Sequence, residues 1–122
     1  MGIINYGINN LQSIKNATDK ISVKSSWIQT PEDVMKSKAL ILPGVGAFKY
    51  GMKGLRERKL IRAIKYKAST GTPLLGICLG MQLMFEEGNE HGKIKGLGLF
   101  RGKCEIFHKN NSFCCQQNSS NP

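Results

Sequence analysis

The sequence predicts an α/β fold built on a partial, doubly wound and mostly parallel sheet. Three observations predict it: short aliphatic runs recur along the chain, stretches with helical periodicity separate them, and glycine or proline closes most of them. Of the 122 residues, 40% are hydrophobic and 21% are charged, which is typical of a globular domain. Right-handed crossover helices should therefore cover both faces of the sheet.

The first half of the predicted sheet follows from local patterns. Gly2 to Asn5 is a short apolar run, and a helix should begin near Asn9, with an asparagine at its start to accept hydrogen bonds from the free amides. A weak strand is predicted at Ser26 to Ile28. Thr30 is the predicted N-cap of the next helix, because Pro31 suits the first helical position.

The central strand of the sheet is predicted at Ala39 to Leu42, an aliphatic run closed by proline and glycine. One or two helices should follow and end before Gly71. The later elements predicted are a strand at 73–77, a helix at 81–87 and a strand at 103–107.

The end of the chain has a different composition from the rest. Beyond His108 the sequence is rich in Asn, Gln and Ser and has no periodic apolar face. We therefore predict residues 1–107 as the folded region and residues 108–122 as a disordered polar tail.

The composition also bears on partners and location. The formal net charge is +10, but the lysines are scattered and accompany no nucleic-acid motif, so a solvated basic surface is predicted instead of nucleic-acid binding. No apolar run approaches the ~20 residues of a membrane helix, and no secretory signal is visible. We expect no membrane association and a cytoplasmic location.

The four cysteines are irregularly spaced for a zinc site, so no metal is expected. Without a secretory context, free thiols are the expected state.

One cysteine lies in a motif that carries chemistry. Around Cys78 an aliphatic strand runs into the pattern GICLG and then into a helix, which is typical of a nucleophile elbow. Gly76 and Gly80, two positions either side, allow the tight bend, and the helix start favours a thiolate. The alternative is a small buried hydrophobic cysteine, the common situation for a free thiol.

The segment GICLGMQLMFEEG resembles the active-site segment of class I glutamine amidotransferases. Two more segments, LPGVGAF at 42–48 and IINYGINNL at 3–11, resemble the glutaminase subunits of imidazole glycerol phosphate synthase, although Asn5 and Asn10 depart from the usual Asp and Gly. The resemblance covers about residues 1–107. It implies a fold with flavodoxin-like layers.

The resemblance also implies roles for residues. Cys78 would be the catalytic nucleophile that attacks glutamine, forms a thioester and releases ammonia. The residues implied for the oxyanion or for substrate binding are Gly44, Val45, Gly46, Leu79, Gly80 and Gln82. No cofactor is implied. The implied partner is a cyclase subunit in a heterodimer that makes imidazole glycerol phosphate and AICAR in histidine biosynthesis.

A general base is the part of the family pattern that this sequence lacks. In the family, a histidine and a glutamate stand in a motif like FHPE near the C-terminus. Here Phe107-His108 is followed by Lys109-Asn110, so the role is not carried over, and His91 is interpreted as a turn residue.

Three alternatives stay open from the sequence. They are a glutaminase subunit, a paralogue that supplies ammonia to another synthase, such as one in a surface-sugar pathway, and an inactive truncated fragment or pseudoenzyme. The absent base leads us to expect little or no glutaminase activity from this chain.

Overall fold

The computed structural model describes residues 1–8, 11–90, 92–107 and 112–116. Within these ranges the chain forms two four-stranded sheets and five helices. The strands of the first sheet are β1 (Gly2–Ile4), β2 (Ser26–Ile28), β3 (Leu40–Leu42) and β4 (Leu74–Gly76). The helices are α1 (Leu11–Lys20), α2 (Pro31–Lys36), α3 (Phe48–Glu57), α4 (Ile61–Ser69) and α5 (Leu79–Leu83). The strands of the second sheet are β5 (Phe85–Gly88), β6 (Ile94–Lys95), β7 (Phe100–Phe107) and β8 (Ser112–Gln116).

The first sheet is parallel throughout and has the strand order β2-β1-β3-β4. All three residues of β1 and of β3 are buried, because these central strands are covered on both faces. Helices α2 and α4 pack against each other, as do α3 and α5. The predicted α/β fold with a mostly parallel sheet is confirmed.

The start of α2 shows how local sequence sets an element. The backbone amide of Asp33 donates a hydrogen bond of 3.2 Å to the Thr30 hydroxyl, and Pro31 occupies the first turn. The predicted N-cap is confirmed. The asparagine cap predicted for α1 falls on positions 9 and 10, which lie outside the described residues.

The core fills the space between the first sheet and its helices. Its largest fully buried side chains share exposures below 2% and come from the strands, from α2 to α5 and from the connecting loops; they include Ile3, Ile4, Tyr6, Val34, Leu42, Phe48, Leu55, Leu60, Ile64, Leu83 and Leu97. Apart from Ile3, these residues belong to one hydrophobic cluster that joins β1 and β3 to α2, α3, α4 and α5.

The helix predicted at 81–87 is shorter in the structure. Helix α5 ends at Leu83, and the chain enters β5 at Phe85, which pairs in parallel with β7. The backbone amides of Leu97 and Leu99 each donate a 2.8 Å hydrogen bond to the last turn of the helix, at the carbonyls of Leu83 and Met84. These long-range bonds end the helix, and its apolar periodicity gave no sign of them.

The second sheet has the order β6-β5-β7-β8 and was predicted only in part. The strand expected at 103–107 is the later part of β7. Residues 112–116 form β8, antiparallel to β7, where the sequence indicated an unstructured run. Residues 108–111 and 117–122 of the predicted tail lie outside the described residues, so the boundary at 107 stays a prediction.

Pairing of β8 with β7 also bears on the cysteines. Cys104 on β7 lies opposite Cys115 in the strand register, and Cys104 is disulfide-bonded. The expectation of free thiols was therefore wrong at Cys104, because it rested on the lack of a secretory context and took no account of the approach of two strands. Among the described cysteines, Cys78 is free.

Within the described ranges, every helix is too short or too polar to cross a bilayer.

Candidate active site

Cys78 lies on the bend between β4 and α5, in the segment 76–80 that we call the elbow. Its backbone angles are φ 52° and ψ −119°, a left-handed conformation that is strained for a residue with a side chain. The thiol is exposed, whereas Leu79 and Gly80 after it are buried. The strand-to-helix turn thus raises the sulfur out of the sheet, as the elbow interpretation requires.

The two glycines on either side of Cys78, Gly76 and Gly80, lie where a side chain has no room. A Cβ added at Gly80 would overlap the backbone carbonyl of Leu42 at the end of β3. At Gly76 it would lie 2.7 Å from Cα of Met81, on the first turn of α5. Any larger residue at either position would separate the helix from the strand that it follows, so the elbow depends on both glycines.

The segment Pro43–Gly46, called here the 43–46 loop, follows β3 and contacts the elbow. The backbone amide of Leu79 donates a 3.1 Å hydrogen bond to the carbonyl of Gly44. A Cβ added at Gly44 would lie 3.1 Å from Cβ of Leu79 and would meet the Tyr6 hydroxyl. The structure therefore brings together the two segments that the sequence singled out separately.

The loop changes character along its length. Pro43 and Gly44 are buried, whereas Val45 is 46% exposed and Gly46 is open to solvent. Gly46 has φ 108°, with no atom within 4 Å of an added Cβ. The second half of the loop thus has room to change conformation, and glycine makes such a change inexpensive.

A small cavity of about 90 Å³ opens beside the cysteine. Its lining residues come from α1, the 43–46 loop and the elbow; they are Ser13, Ile14, Pro43, Gly44, Val45, Ile77 and Cys78. A cavity outside the carboxyl ends of parallel strands is the usual position of a site in an open α/β sheet.

Three of the predicted site residues, Cys78, Gly44 and Val45, line this cavity. The other four, Gly46, Leu79, Gly80 and Gln82, are not among its described lining residues. Gln82 is half-buried on α5, one helical turn after the cysteine. Its backbone amide donates a 3.2 Å hydrogen bond to the Cys78 carbonyl.

Sequence reasoning missed Ser13 and Ile14. Both belong to α1, which the sequence predicted only as a helix after the first strand. The signal that could have found them is topological, because the helix that follows β1 begins at the same sheet edge as the loop after β3.

A wider depression of about 530 Å³ lies elsewhere, between α4, β4 and the start of β7. Its described lining includes Lys65, Ser69, Thr72 and Phe100, and Cys78 is not part of it. Volume alone therefore does not identify the site, and the candidate site is the cavity lined by Cys78, whose backbone is strained.

A base for the cysteine is not found among the described residues. Both histidines of the chain, His91 and His108, lie outside them. Over the same described ranges, no group of three or more His, Cys, Asp or Glu side chains is placed to hold a metal ion. What the described site offers is an exposed thiol, a glycine-rich loop and a cavity.

An exposed cysteine on a strand-to-helix bend, beside a glycine loop at the edge of a parallel sheet, defines this α/β protein, and sequence comparison identifies the family. The family "Glutamine amidotransferase class-I" matches residues 2–120. The chain belongs to the class I glutamine amidotransferases.

Two curated relatives show which members of the family this chain is similar to. The chain is 47% identical over 107 residues to "Imidazole glycerol phosphate synthase subunit HisH" of Desulfitobacterium hafniense (strain DSM 10664 / DCB-2), covering 88% of this chain and 51% of the relative. The protein of the same name from Bacillus licheniformis is 47% identical over 103 residues, covering 84% of this chain and 49% of the relative. The chain thus spans about half the length of the curated relatives it matches.

A solved structure shows the same fold. The chain aligns with "Crystal structure of glutamine amidotransferase" at a TM-score of 0.73 and 21% identity, over 86% of this chain and 56% of the other. At this identity the likeness shows the fold alone.

Proposed function

We propose that this chain carries the nucleophile half of a glutaminase site, in which Cys78 attacks the side-chain amide of glutamine. The observation that supports it is the exposed sulfur at a backbone φ of 52°, beside a cavity lined by the 43–46 loop. Strain of this kind persists only where the surrounding structure enforces it, and it is common at active sites. Membership of the glutamine amidotransferase family agrees with this chemistry.

In the proposed reaction, a bond forms between Cys78 Sγ and the amide carbon, and the carbonyl electrons move to oxygen. Collapse of this oxyanion breaks the carbon–nitrogen bond, and the nitrogen leaves as ammonia after it takes a proton. The product is a thioester. Water then adds to the thioester, the carbon–sulfur bond breaks, and glutamate leaves as the thiol regains its proton.

The oxyanion would be stabilised by backbone amides. We assign this role to Leu79 and to the 43–46 loop at Gly44, Val45 and Gly46, as the sequence predicted. The Leu79 amide donates to the Gly44 carbonyl in this structure, so that carbonyl must turn away before the amide can face an oxyanion. Gly46, two positions after Gly44, and its open surroundings favour such a turn.

The remaining predicted contacts concern the substrate. Gly80 keeps α5 close to β3, and Gln82 would contact the bound glutamine from the next turn of α5. Ser13 and Ile14, which line the cavity from the other side, would complete the substrate enclosure.

The proposed partner follows from the relatives' printed name, a subunit of imidazole glycerol phosphate synthase. We propose that ammonia passes to a cyclase subunit in a heterodimer, in histidine biosynthesis. The nearest alternative is that the chain is a paralogue that supplies ammonia, made by the same chemistry, to another synthase.

A second candidate is a noncatalytic protein that keeps the family fold. The observation that favours it is in the sequence, where Phe107-His108 is followed by Lys109-Asn110 and not by the Pro-Glu of the family motif. A thiol without a base can be alkylated, but it turns over glutamine poorly.

Two measurements on the 122-residue chain separate these candidates. The first is alkylation by a chloromethyl ketone analogue of glutamine, in which sulfur displaces chloride, compared with chloroacetamide, which has the same leaving group and no amino-acid moiety. Each rate is divided by the rate of the same reagent with free cysteine, because the two reagents differ in intrinsic reactivity. The second is glutamate release from glutamine, with and without a cyclase subunit.

We expect the chloroketone to label Cys78 faster than chloroacetamide does, and we expect little or no glutamate release. Cys78→Ser should abolish the label, whereas Ser69→Ala, an exposed change on α4, should leave it unchanged. Equal rates for the two reagents would refute the glutaminase proposal. Glutamate release that disappears in Cys78→Ser would refute the noncatalytic candidate.

A further inference from the structure

A buried tyrosine connects the first strand to the 43–46 loop. Tyr6 follows β1, is 1% exposed, and donates its phenolic hydrogen to the carbonyl of Pro43. Nothing in the chemistry proposed above uses it. A buried hydroxyl needs a partner, because an unsatisfied one loses its hydrogen bonds to water without replacement.

The phenol is enclosed on two sides. A Cβ added at Gly44 would meet its hydroxyl, so the ring end lies directly against the Pro43–Gly44 peptide. A Cβ added at Gly54 on α3 would overlap the Tyr6 main-chain carbonyl and lie 3.3 Å from ring atom Cδ2. Tyr6 is therefore confined between α3 and the loop and has little freedom to follow a different loop position.

Two successive carbonyls of the loop are held, each by a different element. Tyr6 holds the carbonyl of Pro43, and the Leu79 amide of the elbow holds the carbonyl of Gly44. The second bond must break if Leu79 is to face an oxyanion, but the first need not. Burial raises the pKa of Tyr6, so the phenol keeps its proton and remains a donor at neutral pH.

We propose that Tyr6 is a positioning residue that fixes the Pro43–Gly44 peptide and so sets where the loop amides stand relative to the Cys78 sulfur. Tyr6 is not among the described residues that line the cavity, and it acts through its contact with the loop. The inference rests on the proposed function, since it concerns the donors of that site.

The test is Tyr6→Phe in the full chain, with Tyr50→Phe, a 62% exposed tyrosine on α3, as the matched control. The readout is the ratio of the alkylation rates of Cys78 by the chloroketone and by chloroacetamide. Loss of one oxyanion donor typically costs about 100-fold or more, so a displaced loop should lower the ratio by about tenfold or more in Tyr6→Phe. Tyr50→Phe should keep the parent ratio.

A purely structural role would change both rates together and leave the ratio unchanged, and this result would overturn the proposal. Equal rates for the two reagents in the parent chain would instead refute the glutaminase function, and the role of Tyr6 with it.

Gly44→Ala tests the same contact if Tyr6→Phe does not fold, because its methyl group would displace the phenol from Pro43 while the tyrosine stays. The ratio should again fall, and an unchanged ratio in that folded variant would also overturn the proposal.

Discussion

The first sheet and the second sheet differ in how their strands are buried, and this difference decides what could be predicted. Both central strands of the first sheet, β1 and β3, are buried at every position and are purely aliphatic or glycine. In the second sheet, β5 carries two glutamates and only its last residue, Gly88, is buried. Strands covered on both faces produce continuous apolar runs, whereas half-exposed strands do not.

The comparison also concerns what holds each sheet together. Pairs in the first sheet join strands that are separated by crossover helices and covered by the core. In the second sheet, β5 and β7 pair with a register shift, and the Phe85 and Phe100 rings lie 5.7 Å apart at one end. We therefore expect substitutions at buried positions of the first sheet to lower the free energy of unfolding more than substitutions in the second sheet.

The largest effect on stability is expected at Ile4, which is 0% exposed on β1. Ile4→Ala should lower the free energy of unfolding by about 2–5 kcal/mol, because it removes buried methyl groups and leaves a cavity. Phe100→Ala, at a 45% exposed ring on β7, should cost only about 1 kcal/mol. Urea unfolding measures both.

The control for this pair is Leu75→Ala on β4, a 56% exposed side chain of the first sheet, which should change stability by less than about 1 kcal/mol. Similar losses for Ile4→Ala and Phe100→Ala would contradict the stated difference between the sheets.

An intermediate effect is expected at Gly80, on the helix that joins the two sheets. Gly80→Ala would force a methyl group onto the Leu42 carbonyl, at a cost of about 1–3 kcal/mol. Moving α5 away from β3 should also slow chloroketone labelling of Cys78 about tenfold. This corresponds to a rise of roughly 1.4 kcal/mol in the activation free energy of labelling.

Gly71→Ala is the matched control, because Gly71 has φ 88° with no atom within 4 Å of an added Cβ. It should cost about 1–2 kcal/mol of backbone strain and leave the labelling rate unchanged. Normal labelling in a folded Gly80→Ala variant would show that the elbow tolerates the larger residue.

The smallest effect concerns pH and Tyr6, which follows β1. Burial raises its pKa above the ordinary value of 10.0, so folded and unfolded chains both hold the proton below that value, and the contribution to stability is complete there. Above it only the unfolded chain ionises, and stability falls by about 1.4 kcal/mol per pH unit from this group.

The measurement is the difference in unfolding free energy between the parent chain and Tyr6→Phe at about pH 9 and about pH 11. Comparing the two chains cancels the lysines, which titrate in the same range. A difference that stays constant between the two pH values would show that the phenol is not buried as described.

Local sequence predicted the site better than it predicted the second sheet. The elbow followed from GICLG after an aliphatic strand, and the structure shows the strained bend at Cys78. Proximity of the 43–46 loop was inferred through resemblance, and the 3.1 Å hydrogen bond from Leu79 to Gly44 now gives it a geometric basis. Neither the local sequence pattern nor the resemblance could indicate that the Leu79 amide already has a partner.

The sequence by itself determined the aliphatic strands of the first sheet, the N-cap at Thr30 and the bend at Cys78, because each depends on residues that are neighbours in the chain. Only the tertiary structure decided that α5 stops at Leu83, that Ser13 and Ile14 reach the cavity, and that Tyr6 holds Pro43. The physical reason is distance along the chain. Tyr6 and Pro43 are 37 positions apart, and no local periodicity records a contact that forms only when β1 and β3 lie side by side.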